Sequence, residues 1–275
     1  MSGMPLTAVV MPTIVPSIVE CNSEVEKKPD KARHVHKKKR EQGCCFCQLV
    51  MNPKSDDPDE HYVASNIEQV ANVATHLIAT VVAVAALWYS IVTECDDTLE
   101  IVAACVFGLG LTICFGVSTM YHLSSLLFNH WTPLLLSLDL SGIFLLISAA
   151  YTPWMIITLS ETIEGNIICF VIWALGIFGI VKTFGKFLPS ITAINIYMAM
   201  SFMSVFALNP LSRVMEMQCV YIIVMGIAFV GIGFIFFTQD GRVPFAHAIF
   251  HTFVAVGMLG HYYAVHNYIL SIKRG

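Results

Sequence analysis

His247 and His251 stand four residues apart in Pro244-Phe245-Ala246-His247-Ala248-Ile249-Phe250-His251, at the start of an apolar run that continues through Val254 to Leu270. On a helix this spacing puts both imidazoles on one face, one turn apart, within reach of a single ion. A third histidine, His122, closes another apolar run in Ser118-Thr119-Met120-Tyr121-His122, and Asp139 lies early in the next run. Ionisable side chains are costly in hydrocarbon, so those found there usually act. Three imidazoles suit a borderline-soft cation better than a hard one. The sequence therefore predicts a zinc site inside a helix bundle, with His122, His247 and His251 as ligands and Asp139 and Ser118 beside them.

Three neutral imidazoles leave one zinc position open, the pattern of a catalytic site rather than a closed structural one. Asp139 is then placed to accept a proton and return it to a leaving group. Ser118, four residues before His122 and so on the same face, is placed to donate to a developing oxyanion. A competing reading needs no chemistry: metal binding can supply ~10 kcal/mol or more to a folded site and fix the helices that carry the ligands. Direct ligation by Asp139 in the fourth position favours that reading.

A second polar row, Glu68, Asn72 and His76, opens the first apolar run with members four apart. As a packing feature it is a buried carboxylate satisfied by helix–helix hydrogen bonds. As a functional one it orients a ligand imidazole or carboxylate from behind. His130, His261 and His266 are assigned to interfaces or loops, without a role.

The elements that position these residues follow from composition. The chain has 275 residues, 56% hydrophobic and 12% charged, against about 25% charged in a typical soluble domain. Nine of its fifteen Lys and Arg precede residue 61. A polar, proline-containing tail over residues 1–60 is thus joined to a nearly uncharged region over 61–275. The tail reads as disordered, and no cleavable signal peptide is apparent in it. Lys27 to Arg40 holds eight basic residues against Asp30 alone, followed by Cys44-Cys45-Phe46-Cys47. Residues 27–47 are accordingly expected to meet anionic lipid, with S-acylation of the cysteines. No nucleic-acid partner is expected. Eight of the nine cysteines are divided between the tail and the apolar runs, and they imply no disulfide framework.

Seven apolar runs approach the ~20 residues that cross a bilayer, at about 69–92, 101–124, 134–155, 166–185, 189–209, 217–238 and 245–270. The expected fold is an all-α membrane protein, a seven-transmembrane helix bundle. The basic tail places the amino terminus in the cytosol and, after seven crossings, the carboxyl terminus on the lumenal or extracellular side. This topology brings Ser118, His122, Asp139, His247 and His251 to one depth, at the cytosolic leaflet. A channel or transporter fits less well, because the outer halves of the runs lack polar rows.

Four motifs together resemble the progestin and adipoQ receptor (PAQR) family, which includes the bacterial hemolysin III-like proteins. They are Glu68-x3-Asn72-x2-Thr75-His76, Ser118-x2-Tyr121-His122, Asp139-x-Ser141-Gly142-Ile143 and His247-x3-His251. Tyr151-Thr152-Pro153-Trp154 and the stretch from Asp240 to Ile249 look most like its monocyte-to-macrophage differentiation factor branch, although the long tail departs from that branch. The resemblance implies a seven-helix fold and zinc held at His122, His247 and His251, with Asp139 and Ser118 close by. It also implies Golgi, endosomal or plasma membrane residence. In the wider superfamily such sites are associated with hydrolysis of lipid amides such as ceramide. Two function classes stand at this point, a zinc-dependent lipid amidase and a receptor or signalling scaffold whose zinc is structural.

Overall fold

The computed structural model describes residues 50–52, 62–127, 130–185 and 192–270. The basic and cysteine-rich stretch at 27–47 lies outside the described residues, as do Lys186, Lys273 and Arg274. Among the described residues all regular structure is helical, and seven helices are long and apolar enough to cross a membrane. The chain is a multi-pass membrane protein. Its helices are α1 (Asn66–Thr93), α2 (Thr98–Leu127), α3 (Thr132–Pro153), α4 (Ile163–Gly185), α5 (Ala193–Val214), α6 (Met217–Phe237) and α7 (Ala246–Val265). A π-helical turn follows α3 at Trp154–Thr158, just after Pro153, and another follows α7 at His266–Leu270.

Helix ends, unlike helix centres, are decided by hydrogen bonding rather than by apolar run length. Ser65 caps α1: its hydroxyl accepts from Glu68 N–H at 3.2 Å, and Glu68 Oε2 accepts from Ser65 N–H at 3.0 Å. This reciprocal box satisfies two donors that a helix start otherwise leaves open. It carries α1 back to Asn66, three residues before the apolar run begins. The Thr192–Asn195 pair does the same for α5. The fifth run, expected to end at residue 209, continues to Val214 through Pro210. A proline forfeits one ladder bond and crowds the preceding turn, yet a helix surrounded by others tolerates it.

Polar side chains inside the bundle close on carbonyls of neighbouring helices. Tyr197 of α5 donates to Leu140 O of α3 at 2.7 Å, and Tyr151 of α3 donates to Met200 O of α5 at 3.1 Å. With little hydrophobic drive between helices in lipid, such bonds and close packing of small residues hold the bundle. α6 and α7 approach each other backbone to backbone. A Cβ at Gly226 would stand 2.9 Å from Gly257 O, and one at Gly257 would stand 2.8 Å from Gly226 O. Only glycine permits these backbones to touch, and the contact seats the helix that carries two of the three candidate ligands. His261 differs from its expected place at an interface. It is buried, with Nε2 accepting from Trp154 Nε1–H at 3.0 Å.

Candidate metal centre

His122 of α2 and His247 and His251 of α7 converge. One ring nitrogen from each lies within 4.8 Å of the others. The rings meet edge to face, with centroids 5.2 Å apart for His122–His247, 5.2 Å for His122–His251 and 4.4 Å for His247–His251. His122 and His251 are buried and His247 is half-buried.

The hydrogen-bond partners decide which nitrogen each ring offers. His122 Nδ1 lies 2.7 Å from Gln69 Oε1. An amide oxygen only accepts, so Nδ1 carries the proton and Nε2 keeps a lone pair. That Nε2 is buried with no hydrogen-bond partner in the protein. His247 Nδ1 lies 2.7 Å from Asp240 Oδ2, again an acceptor. His251 Nδ1 lies 3.3 Å from Thr75 Oγ1. The Thr75 hydroxyl donates its own proton back to Ala71 O or Asn72 O, both at 3.0 Å, so toward His251 it accepts. All three rings thus have Nδ1–H donating, which leaves the lone pair of each neutral imidazole on Nε2. This is the tautomer a metal-binding imidazole takes when an acceptor behind it fixes the ring and raises its basicity.

Gln69, Thr75 and Asp240 were not among the site residues expected from sequence. A signal for each was present. Gln69 adjoins Glu68, Thr75 stands within the first motif, and Asp240 lies seven residues before His247 in a stretch already singled out. The expected row reaches the site by different routes. His76 lays its ring against His251 at a centroid distance of 3.6 Å and against Phe115 at 5.3 Å, with its Nδ1 buried and unbonded. Asn72, almost fully buried, brings Nδ2 to 3.5 Å from His122 Nδ1.

Glu68 acts on the backbone that starts α7. Its Oε1 accepts from Phe245 N–H at 3.2 Å, while Oε2 accepts from Tyr62 O–H at 2.6 Å as well as from Ser65 N–H. Burial, reinforced by this carboxylate, pushes the Tyr62 phenol well above its ordinary range, so it remains a neutral donor. Phe245 is the residue before α7 and sits in the left-handed region at φ 58° and ψ 17°. A bulky residue there is strained by about 1–3 kcal/mol and persists only when its surroundings hold it. Glu68 supplies part of that hold, two residues before His247.

Asp139 and Ser118 are neighbours of the cluster. The Ser118 side chain stands beside the Asp139 carboxylate, and His247 is near enough to act on its charge. Asp139 is outside the set of converging ligand atoms. The described residues therefore offer three nitrogen donors with an acid and a hydroxyl alongside, an arrangement that suits a borderline cation with an accessible position.

The profile of the family described as "Haemolysin-III related" matches residues 64–262. The chain belongs to this family. The matched region contains the cap of α1, all three converging histidines and the residues that orient them, so this PAQR and hemolysin III protein carries the whole site within its family region. It is 30% identical to the Homo sapiens protein "Monocyte to macrophage differentiation factor", over 81% of this chain and 92% of that one. Similarity reaches bacteria. The chain is 27% identical to the Bacillus subtilis "Hemolysin-3 homolog", over 74% of this chain and 96% of that protein. It is 30% identical to the Bacillus cereus "Hemolysin-3", over 74% and 92%.

Proposed function

We propose that His122, His247 and His251 hold one zinc ion through Nε2 and that the chain hydrolyses an amide bond of a membrane lipid, with ceramide-like amides as the substrate class. The observation that carries this reading is the convergence of three imidazoles, each with its own acceptor at Nδ1, which leaves the lone pair of each on Nε2. Zinc is the cation of choice because every donor is nitrogen and none is a hard oxygen. When bound, it supplies a Lewis acid and acidifies a water in its remaining position.

The residues of the chain handle the protons. Asp139 accepts a proton from the attacking water and delivers it to the departing amine. Ser118 holds the Asp139 carboxylate in the resting site. Once Asp139 is protonated, that hydroxyl is released to donate to the oxyanion developing on the substrate. Glu68, Asn72 and His76 keep the ligand helices in register. We assign the amino terminus to the cytosol, the carboxyl terminus to the lumenal or extracellular side, and the protein to Golgi, endosomal or plasma membrane.

One observation favours a second reading, a receptor or signalling scaffold with structural zinc. The ligands and their acceptors come from α1, α2, α7 and the segment before α7, so an ion here would also staple those elements. Turnover separates the two. Purified wild type and Asp139→Asn are assayed for metal content and for hydrolysis of a panel of lipid amides. The amidase reading expects equal zinc in both and a loss of about 10²–10⁴-fold in rate for Asp139→Asn. Equal rates remove the role given to Asp139. Bound zinc without hydrolysis of any amide in wild type transfers the assignment to the scaffold.

A further inference from the structure

Val50 lies fifteen residues before Ser65 and outside every membrane-spanning helix, yet it is only 5% exposed. Its backbone carbonyl accepts from the Ser65 hydroxyl. Two residues on, Asn52 Nδ2 donates to Val63 O at 3.1 Å. The end of the tail is thus seated at two points, on the turn that leads into α1 and on the residue that caps it.

A hydroxyl has one proton to give. With that of Ser65 committed to Val50 O, its lone pairs are left for Glu68 N–H, at 3.2 Å. Val50 therefore does for the cap what Gln69 does for His122: an acceptor on one side decides what the group offers on the other. Glu68 is held in turn. Its Oε2 takes Ser65 N–H and Tyr62 O–H, which leaves Oε1 for Phe245 N–H at 3.2 Å. The bonds run without a gap from Val50 to the backbone two residues before His247.

α7 depends on this support at one end. Its far end is tied to α1 by Tyr262 O–H, which donates to Ala86 O at 3.2 Å, and its middle rests on α6 at Gly257. The near end starts without a side-chain cap, at the left-handed Phe245. His247 and His251 lie in the first two turns. The end that carries the ligands is therefore the one whose position is set from α1 and, behind α1, from the tail.

We propose that Val50, Asn52 and Ser65 are positioning residues of the metal centre: the end of the tail is a strap that fixes the Ser65–Glu68 box and, through Glu68, the strained start of α7. The proposal rests on the three-histidine zinc site and not on hydrolysis. An unseated strap leaves all three ligands present but lets the first turn of α7 move, and the metal is held less tightly.

The test uses the full chain in phosphatidylcholine nanodiscs and two readouts: zinc affinity by competition with a chelator, and backbone hydrogen exchange followed peptide by peptide. Val50→Asp combined with Asn52→Leu puts a charge in the buried seat and removes the second bond, while Tyr62, Ser65, Glu68 and Phe245 stay in place. Zinc affinity should fall roughly tenfold, the low end for groups that hold a ligand from behind. Exchange over residues 243–249 should quicken several-fold, with that of α4 and α5 unchanged. Ser65→Ala should match the double variant, and Ser65→Thr, which restores the hydroxyl, should recover most of both readouts. Ile67→Ala, at an exposed side chain in the same turn, is the control and should change neither. Should the double variant fail to fold, Asn52→Leu alone removes one exposed hydrogen bond and should move both readouts in the same direction. Faster exchange confined to residues 62–68, with residues 243–249 and zinc affinity unchanged, marks the strap as packing only and overturns the proposal. Wild type without zinc defeats the three-histidine site instead, and exchange over residues 243–249 then decides the strap by itself.

Discussion

Gln69, Thr75 and Asp240 determine what the three histidines can offer. Removing one acceptor leaves the ligand in place but frees its ring to rotate and to change tautomer. Gln69→Leu keeps most of the side chain's volume and deletes the oxygen 2.7 Å from His122 Nδ1. Zinc affinity should fall about 10–100-fold, the usual effect of losing such a partner. A competitive titration against a zinc chelator measures it, and an unchanged affinity would show that Gln69 does not orient the ring. The convergence of the three histidines was legible, because two histidines four apart and a third ending a neighbouring run are visible without coordinates. Their supports were harder to see for a rotational reason. At about 100° per residue, Glu68 and His76 are eight residues apart and diverge by roughly 80° around the helix, whereas Gln69 and His76 are seven apart and diverge by only about 20°. The four-residue spacing drew attention to Glu68, and the geometry turned its neighbour toward His122.

α7 is positioned at three places: the Gly226–Gly257 contact with α6, the Tyr262 bridge to α1, and the Glu68 bond to Phe245 N–H. The last of these supports the strained residue next to the ligands. Glu68→Ala removes three accepted hydrogen bonds at once, from Tyr62, Ser65 and Phe245. Bonds to a buried charged group contribute about 1.5–3 kcal/mol each. The expected outcome is a lower midpoint of thermal unfolding in detergent together with weaker zinc binding, and Glu68→Gln, which keeps an acceptor, should fall between. A full loss of stability with zinc affinity intact would separate the cap from the metal centre. All seven spans could be read from the chain because hydrocarbon demands long apolar runs. Their ends could not, because Ser65, Thr192 and Pro210 act through hydrogen bonds that hydropathy ignores. The turn at Phe245 was equally hidden, since nothing in the residue type announces a left-handed backbone.

At the scale of the whole molecule, a basic tail precedes an odd number of candidate spans. The proposed orientation, amino terminus in the cytosol and carboxyl terminus across the membrane, follows from the tail's charge and seven crossings by the positive-inside rule. Epitope tags at both ends, probed before and after selective permeabilisation, should react on opposite sides; reaction on one side contradicts the arrangement. Neither the site's geometry nor its metal depends on that outcome, whereas its assignment to the cytosolic leaflet does. Everything proposed about chemistry depends instead on the ion. Elemental analysis of the purified full chain, wild type beside His247→Ala and His251→Ala, tests that claim most directly. The expected result is one zinc per wild-type chain and its loss from both variants. Zinc absent from wild type, or retained in both folded variants, contradicts the three-histidine centre.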